Sequence, residues 1–138
     1  MIDIPASHRD LLDGPVYATL STLMPDGSIQ STLVWCDYDG KHIRVNTKLG
    51  RVKETNTRRD ARVTLLLVDT TNPWKYLSIR GRVIDKTPVG AFEHLDRLTQ
   101  KYLGQEKYYG TVEPEEAKAG ITRCLMKIEP THVMANGA

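Results

Sequence analysis

Cysteine is scarce in this chain of 138 residues: there are two, Cys36 and Cys124. They offer no Cys-x-x-Cys and no metal-ligand spacing. Both sit in apolar, strand-like runs, so buried free thiols are expected rather than a disulfide. The histidines His8, His42, His94 and His132 also lack motif spacing, which argues against a metal site. No apolar run approaches the roughly 18 residues of a membrane span. Met1-Ile2-Asp3-Ile4-Pro5 lacks the basic-then-apolar order of a signal peptide, so a cytoplasmic protein without a membrane partner is expected. A surplus of one charge is missing too. Nineteen Lys and Arg face 17 Asp and Glu, a net charge of +2, which argues against broad, charge-driven nucleic-acid binding. Any positive field has to be local. Gly-x-Ser-x-Gly, the P-loop and Gly-x-Gly-x-x-Gly are absent. Glu115 and Glu116 are adjacent and would diverge on a helix. No nucleophile and base stand in a recognisable pattern.

What is present fits one domain, 1–138, with 40% hydrophobic and 26% charged residues. Ser7 can cap a short helix that stops at Asp13-Gly14-Pro15. Residues 16–24 are β-rich, and Pro25-Asp26-Gly27 is a turn. Residues 28–38 read as one second strand. Asp39-Gly40 turns into a third, 41–47, giving a three-strand meander. A short helix follows over 50–60. The run Val63-Thr64-Leu65-Leu66-Leu67-Val68 predicts a strand buried on both faces. Residues 74–86 form a long strand with Tyr76, Ser78, Arg80 and Arg82 on one face and Leu77, Ile79 and Val83 on the other. Pro88 opens a helix whose apolar positions Phe92, Leu95, Leu98 and Tyr102 recur at helical spacing, and Gly104 ends it. A helical turn at 114–117 and a last strand over 122–134, broken at Pro130, complete the chain. The total is a mainly β protein with flanking helices, about six antiparallel strands closed into a small barrel.

Three segments can carry chemistry. In Val45-Asn46-Thr47-Lys48-Leu49-Gly50-Arg51-Val52-Lys53, a strand turns at a glycine and presents a cationic pair at a helix start, with Arg58, Arg59 and Arg62 close behind. Phosphate binding wants charge-assisted donors and free backbone N–H groups converging on one point, although the same pattern also suits a solvated charged helix. Gln30 to Trp35 interleaves hydrogen-bonding and apolar side chains. Such a strand can offer backbone groups to the edge of a flat heteroaromatic ring, or serve as ordinary sheet. Trp74 and Tyr76, after a Pro turn, suit stacking, an interface or a core equally.

The order of elements resembles the flavin/deazaflavin oxidoreductases of split β-barrel fold, the superfamily of pyridoxamine 5′-phosphate oxidase. Ala18-Thr19-Leu20-Ser21-Thr22, Pro25-Asp26-Gly27-Ser28, Gly50-Arg51-Val52-Lys53-Glu54-Thr55-Asn56, Arg58-Arg59-Asp60-Ala61-Arg62-Val63, Asn72-Pro73-Trp74-Lys75-Tyr76 and Arg80-Gly81-Arg82-Val83 carry the likeness over nearly the whole chain. It is strongest to the branch that uses the deazaflavin coenzyme F420. The resemblance implies that Arg51 and Lys53 hold the cofactor phosphate, with Gly50 and Val52 supplying backbone. It puts Gln30, Thr32, Leu33 and Val34 along one side of the ring and Val45, Asn46 and Thr47 along the other. It also implies a homodimer with sites at the interface, into which Trp74 and Tyr76 of one protomer reach towards its partner's site.

The tail 129–138 contains no arginine, whereas the phosphate oxidases end in an Arg-rich segment. That argues against pyridoxamine phosphate oxidation and leaves flavin mononucleotide (FMN) open as a cofactor. The leading expectation is hydride transfer between F420 and a small substrate. An FMN-dependent oxidoreductase and a non-catalytic cofactor-binding protein are the alternatives. The cofactor carries the chemistry in either enzyme, which accounts for the missing acid, base and nucleophile.

Overall fold

Seven antiparallel strands in one sheet, in the order β2-β1-β5-β6-β7-β4-β3, build the protein, described over residues 2–137 in a computed structural model. They are β1 (Ala18–Leu23), β2 (Ile29–Val34), β3 (Cys36–Tyr38), β4 (Ile43–Lys48), β5 (Arg62–Val68), β6 (Tyr76–Thr87) and β7 (Arg123–Asn136). Three helices accompany them: α1 (Asp10–Asp13), α2 (Val52–Arg59) and α3 (Ala91–Leu103). No helix among the described residues is long and apolar enough to cross a membrane.

The two edges of the sheet, β2 and β3, are joined in sequence by one residue, Trp35. Consecutive Cα atoms lie about 3.8 Å apart, so the sheet has to curl until its edges meet. The result is a barrel left unpaired along one seam. Helix α3 fastens that seam. Tyr102 donates its hydroxyl to the Val16 carbonyl (2.8 Å) and accepts the Cys36 N–H (3.1 Å). Lys101 caps the carbonyls of Leu12 (2.5 Å) and Cys36 (2.6 Å).

The seam corrects the expected strand count. Residues 28–38 are two strands rather than one, because β2 pairs with β1 while β3 pairs with β4. The sheet therefore has seven strands instead of six, and residues 16–47 do not form the expected three-strand meander. Two further expectations change. β5 is buried on one face only, with Leu66 and Val68 exposed by 38% and 37%. β7 continues through Pro130: the register slips so that Arg80 faces His132 and Gly81 faces Pro130, leaving Thr131 as the extra residue of a bulge. A Cβ at Gly81 would meet the Glu129 carbonyl at 2.7 Å, so glycine is required there.

The barrel interior is filled by period-2 apolar positions. Leu20, Ile43, Val45, Leu65, Leu67, Leu77, Ile79, Met126 and Ile128 are all inaccessible to solvent. Each contributes about 1.5–3 kcal/mol by burial. Both cysteines are buried free thiols. Helix α3 ends, as its sequence predicts, at Gly104 in the left-handed region.

Candidate functional site

The turn between β4 and α2 builds the cationic end of a groove. Gly50 adopts a φ of 91°, a conformation that suits glycine. Glu54, in the first turn of α2, reaches back to accept the Gly50 N–H at 2.9 Å. Its carboxylate is 1% exposed and also contacts Arg58 (2.5 Å) and Lys86 (3.2 Å). The hydrogen bond from Arg58, helped by the Gly50 amide and Lys86, holds its pKa down at about 2. Glu54 thus stays ionised and pins the turn.

With Glu54 engaged by Arg58 and Lys86, and Glu113 paired to Lys48 at 3.4 Å, Arg51 and Lys53 have no ionic partner among the described residues. Burial, followed by the fields of Arg51 and Arg123, pushes the Lys53 ammonium down. Three cations therefore converge, and the carboxylate whose field reaches Arg123, that of Glu113, is itself in contact with Lys48. Arg51 caps α2 with no side-chain hydrogen bond, so the first-turn N–H groups remain available on the same side as the positive helix end.

From these cations a cavity of about 300 Å³ runs along the seam. Its apolar wall is formed by Leu33, Val34, Trp35, Leu95 and Leu98, and Tyr17, Tyr108 and Val112 border it. The Trp35 ring stacks on Tyr102 at 5.2 Å, and Tyr108 meets its edge at 6.2 Å. β2 is an edge strand, so alternate backbone groups of Gln30 to Val34 face no neighbouring strand and remain open to a flat polar ring.

Of the residues picked out in the sequence, Leu33, Val34, Asn46, Thr47, Arg51 and Lys53 line this cavity. The others lie elsewhere. Val45 points into the core, so its side chain does not border the groove. Gly50 lines an adjoining groove, and Val52 is exposed on α2. Gln30 accepts a long hydrogen bond from Thr22 (3.4 Å). The Thr32 hydroxyl is buried without a partner, two residues along the strand from Val34. Trp74, 76% exposed, and Tyr76 lie beyond the cavity lining of their own chain. Arg58 and Arg59 are committed to Glu54 and to the Leu23 carbonyl.

The sequence reading misses Tyr108 and Arg123, and it includes Trp35 in the Gln30 to Trp35 segment without giving it a site role. Trp35 looks like a continued strand. Tyr108 sits in a loop, and Arg123 meets Asn46 across 77 residues, a contact with no local signal.

The family model for pyridoxamine 5′-phosphate oxidase matches residues 4–136. The chain belongs to this family. It is a split-barrel member of the flavin/deazaflavin oxidoreductase superfamily. Among solved structures it is similar to an F420 reductase, with 32% identity, 95% of this chain and 98% of that chain covered, and a TM-score of 0.79. It also resembles a conserved hypothetical protein of Mycobacterium tuberculosis (24% identity, 99% and 86% covered, TM-score 0.72). A third likeness is to HupZ of Group A Streptococcus (14% identity, 98% and 99% covered, TM-score 0.68). The last two likenesses concern the fold alone. No curated protein matches the chain in sequence.

The groove suits a ring-plus-phosphate cofactor. Its polar end offers unpaired cations and helix N–H groups, and its long wall offers apolar side chains with an open strand edge.

Proposed function

We propose that this chain is an oxidoreductase that binds coenzyme F420 and transfers a hydride between it and a small unsaturated or aromatic substrate. The observation that carries the reading is the unpaired Arg51–Lys53 pair at the start of α2, in a chain 32% identical to an F420 reductase. Bound in the groove, a deazaflavin supplies the two-electron chemistry at its ring. The chain's own residues do the remaining work. Arg51, Lys53 and the first N–H groups of α2 hold the phosphate. The edge of β2 and the wall of Leu33, Val34 and Trp35 orient the ring and exclude water from one face, so that rate comes from proximity and orientation.

A homodimer completes the site in this reading. The outer face of the sheet carries Ile29 (70% exposed), Leu33 (65%) and Met134 (49%). Leu33, Thr19, Leu66, Ser78 and Met134 form one row across five strands. Leu33, Leu66 and Met134, exposed and apolar in that row, favour a second copy of the chain as its cover. Trp74 and Tyr76 of one protomer then extend towards the cavity of its partner. An apolar substrate would stack on the open ring face.

FMN is the second reading, supported by the family match and by the same phosphate contacts. Absorbance titration of the purified protein with F420 and with FMN tests both. Tighter binding of F420 is expected. Tighter FMN binding reverses the order, and binding of neither cofactor refutes the proposal.

A further inference from the structure

The cavity contains a cation that the Arg51–Lys53 pair does not account for. Arg123 opens β7 beside Lys48 in the ladder and is 7% exposed. It lines the cavity, and burial pushes its pKa down. The carboxylates nearby are neutralised by contrast: Glu54 meets Arg58 and Lys86, and Asp37 meets Arg44 at 2.8 Å. Arg123 instead donates its Nε–H to an amide, Asn46 Oδ1, at 2.8 Å. Glu113, whose field reaches Arg123, is in contact with Lys48. An amide orients a guanidinium without cancelling its charge. A buried charge left so is costly unless an anion arrives.

The amide is itself held from behind. An arginine can only donate, so the Asn46 carbonyl has to face Arg123. Asn46 Nδ2 then donates to the Ala91 carbonyl (2.7 Å) and to His94 Nδ1 (3.1 Å). His94, fully buried, must accept at Nδ1 and donate from Nε2 to Asp37 Oδ1 at 3.2 Å. Asp37 in turn takes Arg44 through both oxygens. Burial opposes its ionisation, but the hydrogen bonds from His94 and Arg44 outweigh that and hold the carboxyl well below the usual range. Within this chain of contacts, one arrangement of protons satisfies every group from Arg44 to Arg123.

We propose that Arg123 is a third ligand for the cofactor's phosphate, and that Asn46, backed by His94 and Asp37, is a positioning residue that aims it. The inference rests on the cofactor reading above. Dissociation constants of Arg123→Gln for FMN against riboflavin, and for F420 against its phosphate-free ribityl deazaflavin, test it. The phosphate-bearing member of each pair should bind about tenfold more weakly, with the phosphate-free member within about threefold of wild type. Arg123→Lys should recover part of the loss. Asn46→Ala should weaken FMN binding in the wild-type background and change it less than about twofold on top of Arg123→Gln, as expected when one residue acts through the other.

Equal losses for both members of a pair, or no loss, overturn the ligand role. Additive losses overturn the positioning role. Should Arg123→Gln fail to fold, a phosphate-selective loss in Arg123→Lys supports the ligand role and its absence refutes it. Inorganic pyrophosphate separates this inference from the cofactor reading: it should raise the melting temperature of wild type and raise that of the Arg123 variant by less. A wild type that binds no ring compound yet shows that Arg123-dependent shift defeats only the cofactor reading. Ring binding indifferent to Arg123 defeats only this inference, and no response to either probe defeats both.

Discussion

Replacing Arg51 and Lys53 together with alanine should weaken cofactor binding and leave the fold intact, or slightly firmer. Each side chain is free of ionic partners among the described residues, so each has its full capacity for a phosphate. A hydrogen bond to a charged group is worth roughly 1.5–3 kcal/mol. Arg51 is exposed and Lys53 half-buried, so solvent screening takes the sum towards the lower end, about 2–4 kcal/mol. That corresponds to a dissociation constant raised about 30- to 700-fold. The effect on the free protein has the opposite sign. Lys53 is disfavoured as a cation by burial and by its neighbours Arg51 and Arg123, so removing two of three crowded charges relieves repulsion. Fluorescence or absorbance titration reads the affinity, and thermal melting of the free protein reads the stability. Affinity within threefold of wild type would refute the phosphate assignment. A lower melting point without cofactor would show that the pair holds the fold together, contrary to the unpaired geometry.

The remaining predictions concern the supports of the site. Glu54→Gln should destabilise the protein by about 2–3 kcal/mol, below the 3–5 for a fully buried pair because Arg58 can return to water; chemical denaturation measures it. The Glu54 pKa is depressed to about 2 in the folded state. Its stabilisation is therefore complete above the unfolded value near 4.5 and is lost as pH falls from there through about 2. An acid-unfolding curve whose midpoint is unchanged in Glu54→Gln would contradict that account. Leu66→Asp, on the outer sheet face, should keep the fold and convert a dimer to a monomer in sedimentation; a monomeric wild type would remove the basis for the dimer. Trp35→Ala removes the stack on Tyr102, costing about 2–3 kcal/mol since the indole is only half-buried, and should also loosen cofactor binding. Wild-type affinity in that variant would exclude Trp35 as a wall of the ring site.

Local chemistry explains what was legible from sequence. Asp26 fixes its own turn by accepting the Ser28 N–H at 2.9 Å, which is why Pro25-Asp26-Gly27 reads correctly as a turn. Leu95 and Leu98 of α3 lie on the buried face that their spacing predicts. The seam at Trp35 was not legible, because nothing local marks it: no glycine or proline interrupts 28–38, and only the choice of partner strand divides the run. The apolar run of β5 misled for a related reason. A strand covered by its own chain on one face and by another molecule on the other has the same sequence signature as one buried within a single chain. Leu66 and Val68 are exposed in the monomer, and the proposed dimer accounts for their being apolar. Arg123 and His94 became visible only when tertiary structure joined β7, β4, α3 and β3.

The site's two tasks fall to one stretch of chain. Residues 30–35 supply the open edge and the ring wall. The same chain then crosses the seam, runs back along β4 and arrives at the cations of the α2 turn. A ring and a phosphate on one molecule are thus met by groups whose spacing is set by the barrel's closure rather than by a mobile loop. In the proposed reading that arrangement would recognise what FMN and F420 share and be indifferent to what separates them, the lactate and glutamate tail. Discrimination has to come from outside the cation cluster. Arg58 and Arg59 are engaged and cannot supply it without breaking the contacts to Glu54 and Leu23. The adjoining groove of about 460 Å³, lined by Lys48, Gly50, Arg51 and residues 120–122, begins where the phosphate would end and carries two basic side chains. In the proposed reading a carboxylate-bearing tail leaving the phosphate would enter that groove and compete with Glu113 for Lys48, whereas FMN would leave it empty, so the preference between the cofactors would turn on Lys48 and its surroundings more than on the phosphate site.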